Sequence, residues 1–282
     1  MPIHCPNCGE LNTDYSASHC RCGYFLGWPN HRKALSEQPD LAGRYAGACQ
    51  DLHARGLSAL IPPLESLAAN TLPAITMPCE ACDDLLMGKK YHNYYSRIDF
   101  GARFPAAEVD HADRAGVNQR LYPGYANRLI YAQLSPDGRG LPNYGEVTVI
   151  WNIDPNYLGI RTSLLEENEY RFVENHGLGA LGSVVPPGFR AIWDDRIKLV
   201  VAKLASALTS ATTVADLPHL LLAPGATRQD DVFVEAVIYG DPGIDARDVK
   251  SVHLEQILTD RVKRMRWDIV LELCTMRGIM VV

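Results

Sequence analysis

Four cysteines crowd the N-terminus, and no other stretch of the 282-residue chain limits the fold so narrowly. In "CPNCGELNTDYSASHCRCGYFLGW", Cys5 and Cys8 are separated by two residues and Cys20 and Cys22 by one, and each pair runs straight into a glycine, Gly9 or Gly23. A tight turn that wraps backbone around a sulfur needs positive φ, which glycine takes without steric cost. Four thiolates match a closed, tetrahedral structural zinc site with no open position for catalysis. A segment this short has almost no apolar core, so the metal would supply its folding energy.

The first pair resembles the zinc-ribbon pattern, Cys-Pro-x-Cys-Gly with an Asn shortly after, here Asn12. The second pair departs from that pattern by one residue, which leaves His19 or His4 as a replacement ligand. Residues 1–28 are read as a zinc-ribbon-like module. A further pair, Cys79-x2-Cys82, has no matching pair after it; it is a turn with two thiols or a second metal site that recruits His92. Cys49 and Cys274 stand alone. Met1-Pro2-Ile3-His4-Cys5 lacks the charged and apolar regions of a signal peptide, and no apolar run reaches the roughly 18 residues of a membrane span. The expectation is a soluble, cytoplasmic protein with metal-bound or free thiols in place of disulfides.

Beyond the module, 29–88 reads as a polar connector followed by a helical segment. Leu41, Tyr45, Cys49, Leu52, Leu57, Leu60 and Ile61 recur at helical spacing up to Pro62-Pro63. Two short helices are expected, covering the sheet of the larger domain or holding the two domains together. In 89–282 the pattern changes to short strands between turn clusters: 90–95, 128–135, 146–153, 159–165 and 231–239. One strong helix is expected over 192–208 and another over 253–264, with a closing strand in the last four residues. This is an α+β domain. Net charge is −6, against broad electrostatic binding of nucleic acid. The P-loop, the dinucleotide fingerprint, the Gly-x-Ser-x-Gly elbow and His-Glu-x-x-His are all absent.

One strand raises a question of its own. "FVEAVIYGD" places Glu235 within Phe, Val, Ile and Tyr, and the run stops at the turn Gly240-Asp241-Pro242-Gly243. A carboxylate in a half-buried strand is costly unless it has a partner, such as a nearby Arg, or a task.

Four fragments in order, "KYHNYY" with His92, "NRLIYAQLS" with Arg128 and Tyr131, "GIRTSLLEEN" with Arg161, Thr162 and Ser163, and "VFVEAVIYGDPGIDARDVKSV" with Glu235, resemble the ADP-ribosyltransferase-like superfamily, above all its bacterial toxin and effector domains. The resemblance covers about 90–255. It implies a split β-sheet with helices, and NAD as substrate, cleaved at the nicotinamide–ribose bond. It places Glu235 beside the ribose, where a carboxylate stabilises the oxocarbenium-like transition state. It implies that His92 or Arg128 anchors NAD, that Tyr131 stacks on nicotinamide or joins the core, and that Thr162 and Ser163 match two of the three hydroxyls of a Ser-Thr-Ser element whose first place is Arg161 here. Phe233 stands where arginine-modifying members carry Glu or Gln, so the resemblance favours another acceptor, with Gln229 able to move in and Phe233 able to stack on a base or side chain. The expected function is that of a mono-ADP-ribosyltransferase toxin or phage-defence effector acting on protein or nucleic acid and held in check by an antitoxin or immunity protein. A zinc-ribbon binding protein with an inactive transferase-like domain, and an NAD glycohydrolase, are the alternatives.

Overall fold

The structure, a computed structural model, describes residues 3–101, 108–152, 154–179, 183–240 and 243–282. The cysteine segment is a hairpin of β1 (Ile3–His4) and β2 (Leu11–Asn12), Ile3 opposite Asn12. Three helices follow: α1 (Pro29–Ser36), α2 (Gln38–Ala54) and α3 (Ile61–Asn70). Pro62 and Pro63 open α3 instead of breaking a helix, because the first turn has N–H groups without intrahelical partners and a proline there loses nothing. β3 (Leu72–Met77) lies within the supposed connector and is a central strand of the sheet. α4 (Cys79–Leu86) comes directly after it.

The segment 90–95 is not a strand. Tyr91 forms a single bridge to Ile244, and the Asn93 side chain accepts the Ser96 N–H at 2.9 Å, capping α5 (Tyr94–Asp99). Next come α6 (Glu108–Leu121), β4 (Leu129–Ser135), β5 (Val147–Trp151), β6 (Thr162–Leu165), α7 (Glu169–Asn175) and β7 (Arg190–Ile192). The long helix expected over 192–208 is α8 (Arg196–Leu204), continued by one 3-10 turn. After α9 (Leu217–Leu221), β8 (Glu235–Tyr239) begins at the glutamate itself, Val232 making only an isolated bridge to Ala223. The helix expected over 253–264 is displaced: β9 (Val249–Leu254) occupies its start, and Asp260 caps α10 (Arg261–Arg277) by accepting the Lys263 N–H at 2.9 Å. The chain closes with β10 (Met280–Val281), parallel to β9. Two of the sequence expectations extend past what is described: Asp241 and Pro242 of the turn, and Ile153 of the third strand, lie outside the described residues.

The fold is α+β, with an eight-stranded mixed sheet in the order β10-β9-β5-β3-β4-β8-β6-β7. Its central junction is incomplete. β3 and β4 pair only through Leu72↔Ser135, Pro73↔Leu134 and Ala74↔Gln133. Past Ala74, Ile75–Met77 stay laddered to β5, and Leu129–Ala132 stay laddered to β8. The sheet parts between two strands whose outer neighbours keep hold of them.

Strand alternation sorts the side chains onto two faces. Ile130, Ala132, Ala236 and Ile238 join Leu41, Leu52, Leu64, Leu199 and Val270 in the main core, under α2, α3, α8 and α10. Leu129, Val237 and Tyr239 point the other way, into a second cluster with Val117 and Leu121 of α6 and Phe172 of α7. Glu235 shares the parity of Val237, so it lies on the face covered by α6 and α7.

Candidate active site

Where β3 and β4 diverge, a cavity of about 450 Å³ opens, lined by Ala74, Ile75 and Thr76 on one side and by Tyr131, Ala132 and Gln133 on the other. This is within the usual size range of small-molecule sites. Its closed end is polar and tightly packed. The Gln133 amide donates to Thr76 Oγ1 at 3.0 Å, and the Thr76 and Thr148 hydroxyls are 2.8 Å apart. Gly140 lies flat on this floor: a Cβ there would come within 2.1 Å of Thr76 Oγ1 and 2.2 Å of Thr148 Oγ1, so no larger residue fits. Tyr144, Thr227, Arg228 and Phe233 form a wall, and Arg228 lies 5.1 Å from the Tyr144 ring centre.

Glu235 enters this cavity from the start of β8, opposite Gln133 on one side and Leu165 on the other. It is 4% exposed. Glu169, the first residue of α7, enters beside it, and the Glu169 backbone N–H donates to Glu235 Oε2 at 3.1 Å. Arg114 of α6 reaches Glu169 Oε1 at 3.7 Å and lies 5.0 Å from the Tyr94 ring centre. With its nitrogen turned inward, the Asn118 amide donates to both Glu169 oxygens, at 2.7 and 2.5 Å. The Tyr131 hydroxyl also hydrogen-bonds Glu169.

Two buried carboxylates with a single nearby arginine resist double ionisation. Burial pushes Glu169 up to about 7, against the opposing pull of Arg114 and Tyr131. Burial also drives Glu235 well above the usual carboxylate range, and the Glu169 charge adds to the rise, while the Glu169 N–H and Arg114 work against it. The two titrate as a pair and hold a proton between them near neutral pH. Such a pair can stabilise a developing positive charge with one member and accept a proton with the other.

The structure brings Glu235 and Tyr131 together in this cavity. His92 lines a neighbouring cavity with Lys90, Arg97 and Phe100, which adjoins the first through Tyr144 and Arg228. Arg128 is elsewhere: it sits just before β4, at the end away from Gln133, and donates to the Tyr239 hydroxyl at 2.9 Å. Thr162 and Ser163 are buried and do not line the cavity. Thr162 Oγ1 donates to Leu158 O at 2.6 Å, and Ser163 Oγ lies between the Asn30 amide and Val237 O. The reason is register, because Thr162 and Ser163 pair with Ile238 and Val237, whereas Glu235 is opposite Leu165. Phe233 is 4% exposed and packs on Leu141, Leu222 and Tyr144, so its ring is engaged in the wall and does not stand free to stack on an acceptor. Gln229 does line the cavity.

Sequence reasoning passed over Glu169, Arg114 and Asn118. Asn168 carried the available signal: it caps α7 by accepting the Tyr170 N–H at 2.8 Å, which fixes Glu169 in the first turn. Nothing in the spacing ties Glu169 to a residue 66 positions later.

The cysteine segment forms a second, separate centre. Ligand atoms of Cys5, Cys8, Cys20 and Cys22 all lie within 4.8 Å of one another, close enough to hold a metal ion, and this is the only such group among the described residues. Cys5 and Cys22, and Cys8 and Cys20, approach to 3.6 Å. Gly9 and Gly23 adopt φ of +73° and +84°, the conformation that the turns around the sulfurs require. His4 and His19 are outside the group, His4 facing Gly9 O and the His19 ring tilted against Phe25 with ring centres 5.2 Å apart. Asn12 donates toward Cys20 Sγ at 3.6 Å, a second-layer contact of the kind that orients a ligand. Four thiols in this arrangement are compatible with structural zinc. Cys79 and Cys82 instead lie buried in the main core on α4. Among the described residues, no helix is long and apolar enough to cross a membrane.

No protein-family model matches the chain, and no curated protein matches it.

Proposed function

We propose that the chain is an enzyme of the ADP-ribosyltransferase type, which cleaves NAD at the nicotinamide–ribose bond and passes ADP-ribose to a nucleophile. The observation that carries this reading is the buried Glu235 carboxylate at the mouth of a parted sheet. A split sheet and a strand-borne glutamate are what the resemblance of the four sequence fragments implies. The chemistry suits both carboxylates. As the C–N bond breaks, nicotinamide leaves as a neutral molecule and positive charge develops on the ribose. Glu235, rigidly held at a strand end, stabilises that charge in its ionised form, which the cationic nicotinamide of bound NAD favours over the protonated form of the empty site. The acceptor oxygen or nitrogen bonds to C1′ and releases its proton to Glu169, whose affinity for a proton is poised near neutrality. Tyr131 and Tyr94 offer aromatic faces along the cavity, and Arg114 and Arg228 offer cations.

Glu169 also favours a second reading of the same site, an NAD glycohydrolase. A near-neutral carboxylate next to the stabilising one can activate water as well as a side-chain hydroxyl. The cysteine centre, with zinc as its metal, is a structural support in both.

The test is nicotinamide release from NAD by the purified, metal-loaded protein, with and without cell extract. Release with transfer of label from adenylate-labelled NAD to a macromolecule supports the transferase. Release unaffected by extract, with free ADP-ribose as product, supports the glycohydrolase. No release under either condition overturns both and leaves a binding protein.

A further inference from the structure

A third cavity, of about 470 Å³, lies between the cysteine segment and the sheet, and shares no lining residue with the carboxylate cavity. Four cations line it, Arg32, Lys33, Arg120 and Arg190, and none of its lining residues is acidic. In a chain of net charge −6, such a concentration is not a consequence of composition.

Of these cations Lys33 and Arg120 are exposed, and Arg32 and Arg190 are held within the protein. Glu37, behind the wall, is shared by Arg190 at 2.8 Å and Lys33 at 3.3 Å. Arg32 faces carbonyl oxygens: Tyr15 O and Ala17 O at 2.9 Å and Gly27 O at 3.1 Å. Asp14 is close enough to act on Arg32, but its carboxylate takes the Ser16 N–H and hydroxyl at 2.8 and 2.6 Å. Arg120 donates to Leu178 O. Arg190 is 2% exposed and held within the protein, Nη1 donating to Glu37 Oε1 and Nη2 to Leu121 O at 3.3 Å, with its Nε buried away from the cavity. The remaining walls are aromatic and apolar, with Tyr15, Tyr125, Pro123 and Val185 beside the cations.

We propose that this cavity binds a nucleoside phosphate, the phosphate held by the exposed Lys33 and Arg120 and the base set against Tyr15. Arginine and lysine match phosphate oxygens in charge and geometry. A base suits the exposed ring of Tyr15, which inorganic phosphate would leave unused. The cavity volume suits a mononucleotide. Because Arg32 grips the backbone of the cysteine segment from α1, the ligand would sit against the seam that joins this segment to the sheet.

The test is calorimetric titration of the metal-loaded protein with ADP, adenosine and inorganic phosphate. ADP should bind more tightly than either fragment, and its affinity should fall as salt is raised. Lys33→Gln/Arg120→Gln changes two exposed side chains and should weaken ADP at least tenfold, the loss expected for charge-assisted hydrogen bonds. The same double substitution should leave nicotinamide release from NAD, which belongs to the other cavity, unchanged. The proposal is overturned by an absence of ADP binding, by equal affinity for inorganic phosphate, or by ADP affinity that survives the double substitution in a variant of unchanged melting temperature.

Discussion

Glu169 donates its backbone N–H to the Glu235 carboxylate at 3.1 Å, joining the first residue of α7 to the first residue of β8. The bond exists because α7 is capped one residue earlier. Asn168 accepts the Tyr170 N–H, and the Glu169 N–H is left to point at Glu235 of β8. The same geometry brings the Glu169 side chain into the cavity that Glu235 lines. A backbone contact thus sets the separation of two side-chain acids, and neither can move far without the other.

Glu169→Gln should change the pH dependence more than the fold. The Glu169 carboxyl is raised from 4.5 to about 7 by burial, so it is mostly protonated below that value and can accept a proton only above it. Nicotinamide release should rise with pH through about 7 in the wild type. The Gln variant should lack that rise and be about 100- to 10,000-fold slower on the plateau, the usual contribution of a general base. Stability should run in the opposite sense. A group whose folded pKa is raised contributes stability below its unfolded value of 4.5 and loses it as pH climbs through about 7. Melting temperatures of the wild type should therefore fall relative to those of the variant across that window. Parallel curves for the two proteins would remove Glu169 from the proton chemistry.

How much of this was legible follows particular residues. Glu235 stood out because one carboxylate interrupts a β-branched and aromatic run, and burial makes that placement costly enough to demand a cause. The cysteines stood out because thiol spacing and glycine turns are local, and local geometry is what a sequence encodes most directly. β3 was missed because Leu72–Met77 follows a helix closely and carries no turn signal of its own, only burial from Pro73 onward. Its position between β5 and β4 depends on pairings with residues about 60 to 75 positions away, which no window reveals. The hydroxyls of Thr162 and Ser163 are visible in the sequence, but their place relative to Glu235 depends on the register of β6 between β7 and β8, which the sequence does not display.

The cysteine centre predicts a metal. Cys5→Ser/Cys8→Ser should lower bound zinc from about one per chain to none, since two thiolates cannot complete a tetrahedral structural site. Unfolding should start in the hairpin and stop at the seam with α1, leaving far-ultraviolet circular dichroism of the sheet and helices largely intact. Elemental analysis of both proteins after dialysis measures it. Zinc content equal to that of the wild type would refute the assignment, and a Cys79→Ser/Cys82→Ser double variant should leave the metal in place, because those two thiols lie in the main core.

Glu235→Gln separates catalysis from architecture. The substitution keeps the side-chain volume and one carbonyl oxygen, so the acceptor for the Glu169 N–H survives. What it removes is the ability to carry charge beside a ribose that becomes positive only as the C–N bond breaks. Loss of such a stabiliser costs about 100- to 1,000-fold in rate. The loss belongs in the catalytic constant, because the ground-state ribose is uncharged and NAD affinity depends little on Glu235. A purely structural carboxylate predicts another pattern. Glu235 is buried beside Glu169, and removing one of two repelling acids from a dry site should raise the melting temperature, with activity unchanged per folded molecule. Single-turnover nicotinamide release by the two proteins, with NAD affinity measured by calorimetry and folding checked by circular dichroism, distinguishes these outcomes. A folded variant that retains half or more of the wild-type rate would exclude Glu235 as the transition-state stabiliser and, with it, the strongest support for NAD chemistry in this cavity.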